Sequence, residues 1–370
     1  MRRAGPLAIA LGLLLAAAWV RPAPGTGGPA PTAVALGGLS PLLVDYLWLR
    51  AAQQQDAGRY FEMLQTARWI AALEPRLGSL HRFQAWQLAT DVANQFPAPA
   101  DRWRWIAKGL SVYFDTALTV AGEDPLVAGG LAELLLARVA DAPDAAGEHG
   151  RRAWAELWDR LLGGPGLAGL DPRPLARDWR LDLVRMQRLD ADYGPFDWRA
   201  APSHAFYWAL RGEELAGAGG RGALVFRSRY QALRGALLDG RVVLARGVFC
   251  TVPHVALLRG CRRSWDELAR RHPNDAGVRL GKERFAREEL VLLTAFGREA
   301  EARGLAGPGY EQQLARAVRA ELLGDDPANS PAVAASFAAR ARLCAQAGER
   351  NLVAPLENLA RLARAAAQGR

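Results

Sequence analysis

Apolar and polar positions along this chain recur with a helical period almost throughout. Trp103, Ile106, Leu110, Tyr113, Ala117 and Val120 follow one another at intervals of three and four, a single stripe on a helix expected over 101–121. Trp154, Leu157, Trp158 and Leu161 repeat the theme. A polar stripe, Gln84, Gln87, Asp91 and Asn94, runs along a helix expected over 79–95, and Arg50, Gln53 and Gln54 extend it onto an earlier helix. No run alternates with period two for long enough to suggest a sheet. The nearest, Arg241 to Val252, holds Val242, Val243, Leu244, Val248 and Phe249 and reads as helix or irregular chain.

Helix starts are marked by a capping side chain before a proline at Ser40-Pro41, Asp124-Pro125, Asp326-Pro327 and Ser330-Pro331. The cap accepts backbone N–H groups, and proline at the first helical position gives up a donor that would have no partner. Asp101, after Phe96-Pro97-Ala98-Pro99, reads as a further cap. The expected fold class is all-α.

At the N-terminus the pattern changes. Arg2 and Arg3 precede an uncharged run, Leu7 to Val20, that is short for a membrane span but suits an export signal. Ala16-Ala17-Ala18 offers a cleavage site, and no cysteine follows to take a lipid. Residues 1–21 are thus expected to be a signal peptide or an N-terminal membrane anchor. Residues 22–38, dense in proline and glycine, form a linker. The rest is expected on the periplasmic side of the inner membrane. Eleven of the twelve tryptophans fall at or before Trp208, and the glycine cluster from Gly217 to Gly222 marks a seam. Domains are accordingly expected over 39–210 and 211–370. The glycine cluster lacks the lysine of a phosphate-binding loop and no strand precedes it, so no nucleotide cofactor is expected.

A net charge of +9 invites a nucleic-acid partner. The arrangement argues against it: all but Lys108 and Lys282 of the 47 basic residues are arginine, and they are scattered among acids. Cys250, Cys261 and Cys344 contain no CxxC pair, so neither a zinc site nor a thioredoxin-like centre is expected. In an oxidising compartment Cys250 and Cys261 are the natural candidates to pair, with buried free thiols as the alternative.

Gly58-Arg59-Tyr60 opening a helix, Ile70, Ala71 and Leu73 along it, Glu74-Pro75 closing it, and Phe83 and Trp86 on the next resemble part of a tetratricopeptide repeat. In that reading Gly58 lets two antiparallel helices approach and Tyr60 fills the groove between them. Two further strings carry a resemblance, Asp45-Tyr46-Leu47-Trp48-Leu49-Arg50 and Tyr193-Gly194-Pro195-Phe196-Asp197-Trp198-Arg199 with Ser203-His204 beyond. Together they resemble membrane-anchored tetratricopeptide-repeat-like proteins of planctomycete- and verrucomicrobia-type bacteria. The resemblance spans roughly 36–245. It implies antiparallel helix pairs stacked as a right-handed superhelix, a less regular helical C-terminal part, and an envelope location. It transfers no catalytic residues.

Two sites follow. First helices of such pairs line a concave groove, so Arg50, Gln53, Gln54, Gln84, Gln87, Asp91 and Asn94 are candidates to bind a protein segment. Asp190, Asp192, Asp197 and His204 form an acid/histidine cluster whose residue types suit acid–base work, at a spacing that matches no metal template. The expected function is a non-enzymatic scaffold binding other envelope proteins, by analogy in a secretion or transport complex. The alternative is a periplasmic hydrolase or lyase acting on an envelope polymer through the Asp190–His204 region. A dry aromatic cluster around His204 favours the scaffold; a pocket joining Asp192, Asp197 and His204 favours the enzyme. Trp103 and Trp105 with their neighbouring arginines suggest a stacking platform only if several indoles are exposed together.

Overall fold

The computed structural model describes residues 40–74, 77–142, 144–217 and 222–367. The expected export segment and linker, Pro75, and the centre of the 217–222 glycine cluster lie outside the described residues. Within them the chain is mostly helical, with two short strands, and no helix is long and apolar enough to cross a membrane.

The chain divides into two compact units, Met1–Leu131 and Ala132–Arg370. The division does not fall at the domain boundary expected between 210 and 211, which lies inside one helix, Ala201–Ala216. Tryptophan content marks where a core needs large side chains. It does not mark where contacts thin out, and Trp154 to Trp208 belong to the second unit.

The first unit opens with α1 (Ser40–Asp56), α2 (Tyr60–Leu73), α3 (Gly78–Gln87) and α4 (Pro99–Val112). A π turn (Leu88–Val92) and a 3₁₀ turn (Ala93–Gln95) continue α3. A second π turn (Tyr113–Ala117) and a last α turn (Leu118–Ala121) continue α4. Val44, Leu47, Ala67, Ile70, Leu73 and Leu80 form a core shared by α1, α2 and α3. The expected stripe of α4 is buried from Ile106 to Ala117, but Val120 is exposed and Leu118 buried in its place. A π turn holds one residue more than an α turn, so it rotates the face that follows it.

Both boundaries of α2 fall where the resemblance puts them, but the role expected of Gly58 belongs elsewhere. Gly58 has φ +69° with nothing within 4 Å of where a Cβ would stand, so it serves the turn between α1 and α2. The close approach is at Gly109, where a Cβ would lie 2.5 Å from the Ala85 carbonyl and force α4 away from α3.

The helix α5 (Pro125–Leu135) carries the chain across the division. The second unit continues with a π turn (Leu136–Ala140), α6 (Ala145–Leu162), α7 (Pro172–Trp179), α8 (Leu183–Tyr193), α9 (Ala201–Ala216) and α10 (Gly222–Asp239). A hairpin of β1 (Arg241–Ala245) and β2 (Val248–Val252) follows. Then come α11 (Leu258–Arg271), α12 (Ala276–Ala295), α13 (Glu299–Ala306), α14 (Tyr310–Leu322), α15 (Ser330–Ala347) and α16 (Val353–Ala367).

The hairpin corrects the reading of 241–252 as helix or irregular. Ala245 pairs with Val248, leaving a two-residue loop, Arg246-Gly247, in which both residues have positive φ. That is the turn whose twist matches a strand pair, and glycine at its second position is the signal for it. Val242, Val243, Val248, Thr251 and Val252 add β-branched side chains at χ1-restricted positions that suit strands.

Of the expected caps, Asp124 accepts the Leu126 N–H at the start of α5 and Asp326 accepts that of Ala328. Two others are corrected. The helix α4 starts at Pro99, so Asp101 sits inside its first turn, paired with Arg104. Ser330 is itself the first residue of α15, buried, and donates to the Ala363 carbonyl of α16.

Candidate functional site

The acid/histidine cluster of the second unit is built on α8, the 194–200 turn and the first turns of α9. Every residue of α9 from Ala201 to Leu210 is buried, as expected of a helix apolar on all sides. His204 therefore points into protein. It is 1% exposed, and its ring lies 4.1 Å from the Trp158 ring and 5.3 Å from that of Trp154. Its Nε2 is 2.7 Å from the Trp198 carbonyl, which can only accept, so the proton sits on Nε2. Burial lowers its pKa to about 4, which keeps the imidazole neutral near pH 7. The imidazole is thus enclosed among indoles and closed to solvent.

The three carboxylates have separate tasks. Asp190 accepts the Phe196 N–H at 2.9 Å and the Trp198 indole N–H at 3.2 Å, bracing the 194–198 turn. Burial raises its pKa, and those two hydrogen bonds oppose the rise. Asp192 stands at the surface, bridged to Arg263 of α11.

Asp197 is 3% exposed and forms a bidentate pair with Arg199, which also reaches Asp159 of α6. The pair clamps β1: Asp197 accepts the Val242 N–H at 2.9 Å, and Arg199 donates to the Val242 carbonyl at 2.8 Å. The turn closed by Ala245 and Val248 sets the alternation of the ladder, and it turns both backbone groups of Val242 away from β2. Two charged side chains thus finish an edge that would otherwise be open. The structure gives these four residues bracing and clamping tasks and does not gather them into one pocket. Among the described residues no group of His, Cys, Asp and Glu is placed to hold a metal ion.

Close by is a network absent from the expectations. Arg229 of α10 is fully buried. It donates to Glu213 of α9 at 3.1 Å, to Glu267 of α11 at 2.8 Å and to the Ser264 hydroxyl at 3.1 Å. Tyr193 donates to the same Glu267 at 2.6 Å, and burial, reinforced by that hydrogen bond, pushes its pKa up to about 12. Nothing local distinguishes Arg229 among so many arginines; its partners lie 16 to 38 positions away in the chain.

The second unit also has a cavity of about 430 Å³ with an apolar floor that includes Leu238, Val291, Leu292 and Phe337. The Asp239–Arg340 ion pair, 2.6 Å long, stands at its rim.

In the first unit the polar stripe does not present one continuous face. Gln54 and Gln87 are buried, Gln54 accepting from the Thr66 hydroxyl at 2.8 Å. These two are corrected from groove-lining to interior positions. Gln84 and Asp91 are half-buried, and Asn94 is exposed beyond the π turn that changes the phase of the rod. Arg50 and Gln53 are exposed, and they fall on a face with other chemistry. Leu42, Tyr46 and Leu49, spaced i, i+4 and i+7 along α1, are 66%, 57% and 66% exposed. They lie opposite the buried Val44, Leu47 and Ala51. The Arg50 guanidinium sits 5.7 Å from the Trp69 ring of α2. A second exposed aromatic group follows: Phe61, 60% exposed, meets Trp105 edge-on, and Trp105 stacks on Phe96.

Compared with family models, curated proteins and solved structures, the chain matches none of them.

Proposed function

We propose that this chain is a non-catalytic helical scaffold of the bacterial cell envelope, and that α1 is where it holds a protein partner. The observation that carries the reading is the exposed Leu42–Tyr46–Leu49 stripe, continued by Arg50 and Gln53 on the same side of the helix. Soluble surfaces rarely leave three large apolar side chains together in water without a use for them. An apolar row ending in a guanidinium and an amide suits an amphipathic segment of another protein, gripped by its side chains and held in register by the polar end.

The finer architecture belongs to the same proposal. The pairs α1–α2 and α3–α4 are the first two hairpins of a tetratricopeptide-like stack, and the exposed side of α1 belongs to its groove. The successive packing of α1 on α2, α2 on α3 and α3 on α4 supports this. Export or anchoring through residues 1–21 sets the stack on the periplasmic side of the inner membrane, among other envelope proteins. His204, neutral and sealed among indoles, does not supply the accessible base that a polymer-cleaving centre at Asp190–His204 needs.

The test is affinity purification of the tagged full chain from its own membranes after crosslinking, in parallel with a Leu42→Glu/Leu49→Glu variant. The expected result is a reproducible partner with the native chain that is lost from the variant, whose helical content is unchanged. Recovery of the same proteins with both would sink the α1 assignment. Turnover of a cell-wall polymer by the purified chain, lost in His204→Ala, would sink the scaffold reading itself.

A further inference from the structure

The three cysteines are all buried, but they are not equivalent. Cys250 lies in the middle of β2, and Cys344 in the last turns of α15. Their sulfurs are 3.9 Å apart, although 94 residues separate them in the chain. Cys261, on α11, makes no such contact. The candidate pairing of Cys250 with Cys261 is therefore replaced: the fold brings Cys250 to Cys344.

We infer that Cys250 and Cys344 are a disulfide-forming pair that staples the β1–β2 hairpin to α15. Two thiols whose sulfurs already touch need only a small approach to reach bonding distance, so the native packing has selected the partner. Cys344 is held below the usual thiol range, first by the hydrogen bond from Cys250, with Arg241 and Arg340 nearby. Cys250 is pushed up, by the same contact and by burial. When one of the two thiols ionises, the other is placed to donate a hydrogen bond to it.

The bond forms by exchange with a disulfide donor, either a low-molecular-weight disulfide or the catalytic disulfide of an oxidoreductase. The thiolate of one cysteine attacks the donor, making a mixed disulfide and releasing one donor thiolate. The sulfur of the other, on losing its proton, attacks the first and releases the second donor thiolate. Two protein thiols are oxidised by two electrons, the donor is reduced to two thiols, and the two protein protons pass to the donor sulfurs. Since both sulfurs are buried, exchange takes place while α15 is still docking on the hairpin.

The staple has a structural consequence. Pro253, just past β2, and Phe337 and Arg340 of α15 line the same cavity, so the bond fixes two of its walls relative to each other. It also closes a long loop, which restricts the unfolded chain.

The test uses the full chain, unfolded under reducing conditions and refolded in oxidised and reduced glutathione. It is then quenched in acid, alkylated in denaturant and mapped by mass spectrometry. The expected result is a linked peptide pair containing Cys250 and Cys344, with Cys261 alkylated. The oxidised protein should melt about 5–15 °C above the reduced one. That difference should vanish in Cys344→Ser and persist in Cys261→Ser. Full alkylation of Cys250 and Cys344 after oxidative refolding, or a linkage that includes Cys261, would overturn the inference. The mapping on the unmutated chain decides the matter even if Cys344→Ser does not fold.

Discussion

The two units of this chain differ in how they place charge and in how their exposed apolar side chains are arranged: Val184, Leu280 and Leu305 of the second stand singly on three different helices, whereas Leu42, Tyr46 and Leu49 of the first form a row. The first leaves large apolar side chains outside: Leu42, Tyr46, Leu49 and Phe61 are each more than half exposed. Its ion pairs, such as Arg59–Glu62 and Arg104–Asp101, lie at the surface. The second draws charge inward: Arg229 is fully enclosed, Asp197 nearly so, and Glu288 and Glu289 of α12 are buried against arginines. Its tryptophans seal a histidine. The second unit encloses its charges with partners of its own. A unit that shows apolar stripes to water invites something to cover them. The difference teaches where to look for a partner, and it points away from the acid/histidine cluster that draws the eye in the sequence.

The comparison breaks most sharply at Arg229. Removing it by Arg229→Met takes their enclosed counter-charge from the half-buried Glu213 and Glu267, leaving only the more exposed Arg271 and Arg263, and this should destabilise the second unit by about 3–4 kcal/mol. Urea denaturation measures it, and an unmoved midpoint would show that the charges are not enclosed as described.

A smaller loss is expected at the clamp. Asp197→Ala strips the Val242 N–H of its acceptor and Arg199 of its bidentate partner, and should cost about 2–3 kcal/mol. Asp192→Ala, at the exposed bridge to Arg263, should leave the midpoint where it was. Equal losses at the two positions would contradict the division of labour among these acids.

Acid sharpens the contrast in a third way. His204 and His254 both have folded-state pKa values lowered to about 4 by burial, against an ordinary 6.5. Between those values the unfolded chain binds protons that the folded chain refuses. The stabilising contribution of each is complete above about pH 6.5 and declines as pH falls toward 4. Raised carboxylates such as Asp190 and Glu288 act in the opposite sense, so the histidine share is read as a difference. The drop in melting temperature between pH 7 and pH 4.5 should be smaller in His204→Gln than in the native chain. An identical drop in both would remove His204 from the account.

The smallest effect on stability is expected in the first unit. Leu42→Glu/Leu49→Glu changes side chains already in water and should shift the folding free energy by no more than about 0.5 kcal/mol per site, while abolishing capture of the partner. A large loss of stability would mean that the stripe is packed against the rest of its own unit.

Much of the helical fold was legible because helix-forming patterns are local. The ends of α2, the apolar stripe of α4 as far as Ala117, and the caps Asp124 and Asp326 each involve residues within a few turns of one another. The misses have equally local reasons. Each π turn changes the phase of a rod by about a residue, which exposed Val120 and moved Asn94 out of line, while Gln54 and Gln87 were drawn inside by packing between helices. The Arg246-Gly247 turn was the available signal for the hairpin, and it was outweighed by helical patterns on both sides.

The sites were less legible. Residue types at Asp190–His204 suggested chemistry, but what each does depends on groups far away in sequence: Val242 for Asp197, Arg263 for Asp192, Trp154 and Trp158 for His204. The exposed stripe of α1 is apolar in the sequence just as its buried stripe is. Only the packing of α2 and α3 decides which one is covered.

By itself, then, the sequence determined a chain of amphipathic helices and the positions of many of their ends, because backbone hydrogen bonds and side-chain periodicity are settled within a few residues. The tertiary structure alone decided which arginine would be enclosed, which cysteine would meet Cys250 and which side of α1 would face water. Those outcomes depend on contacts between residues tens of positions apart, and nothing short of the folded arrangement brings them together.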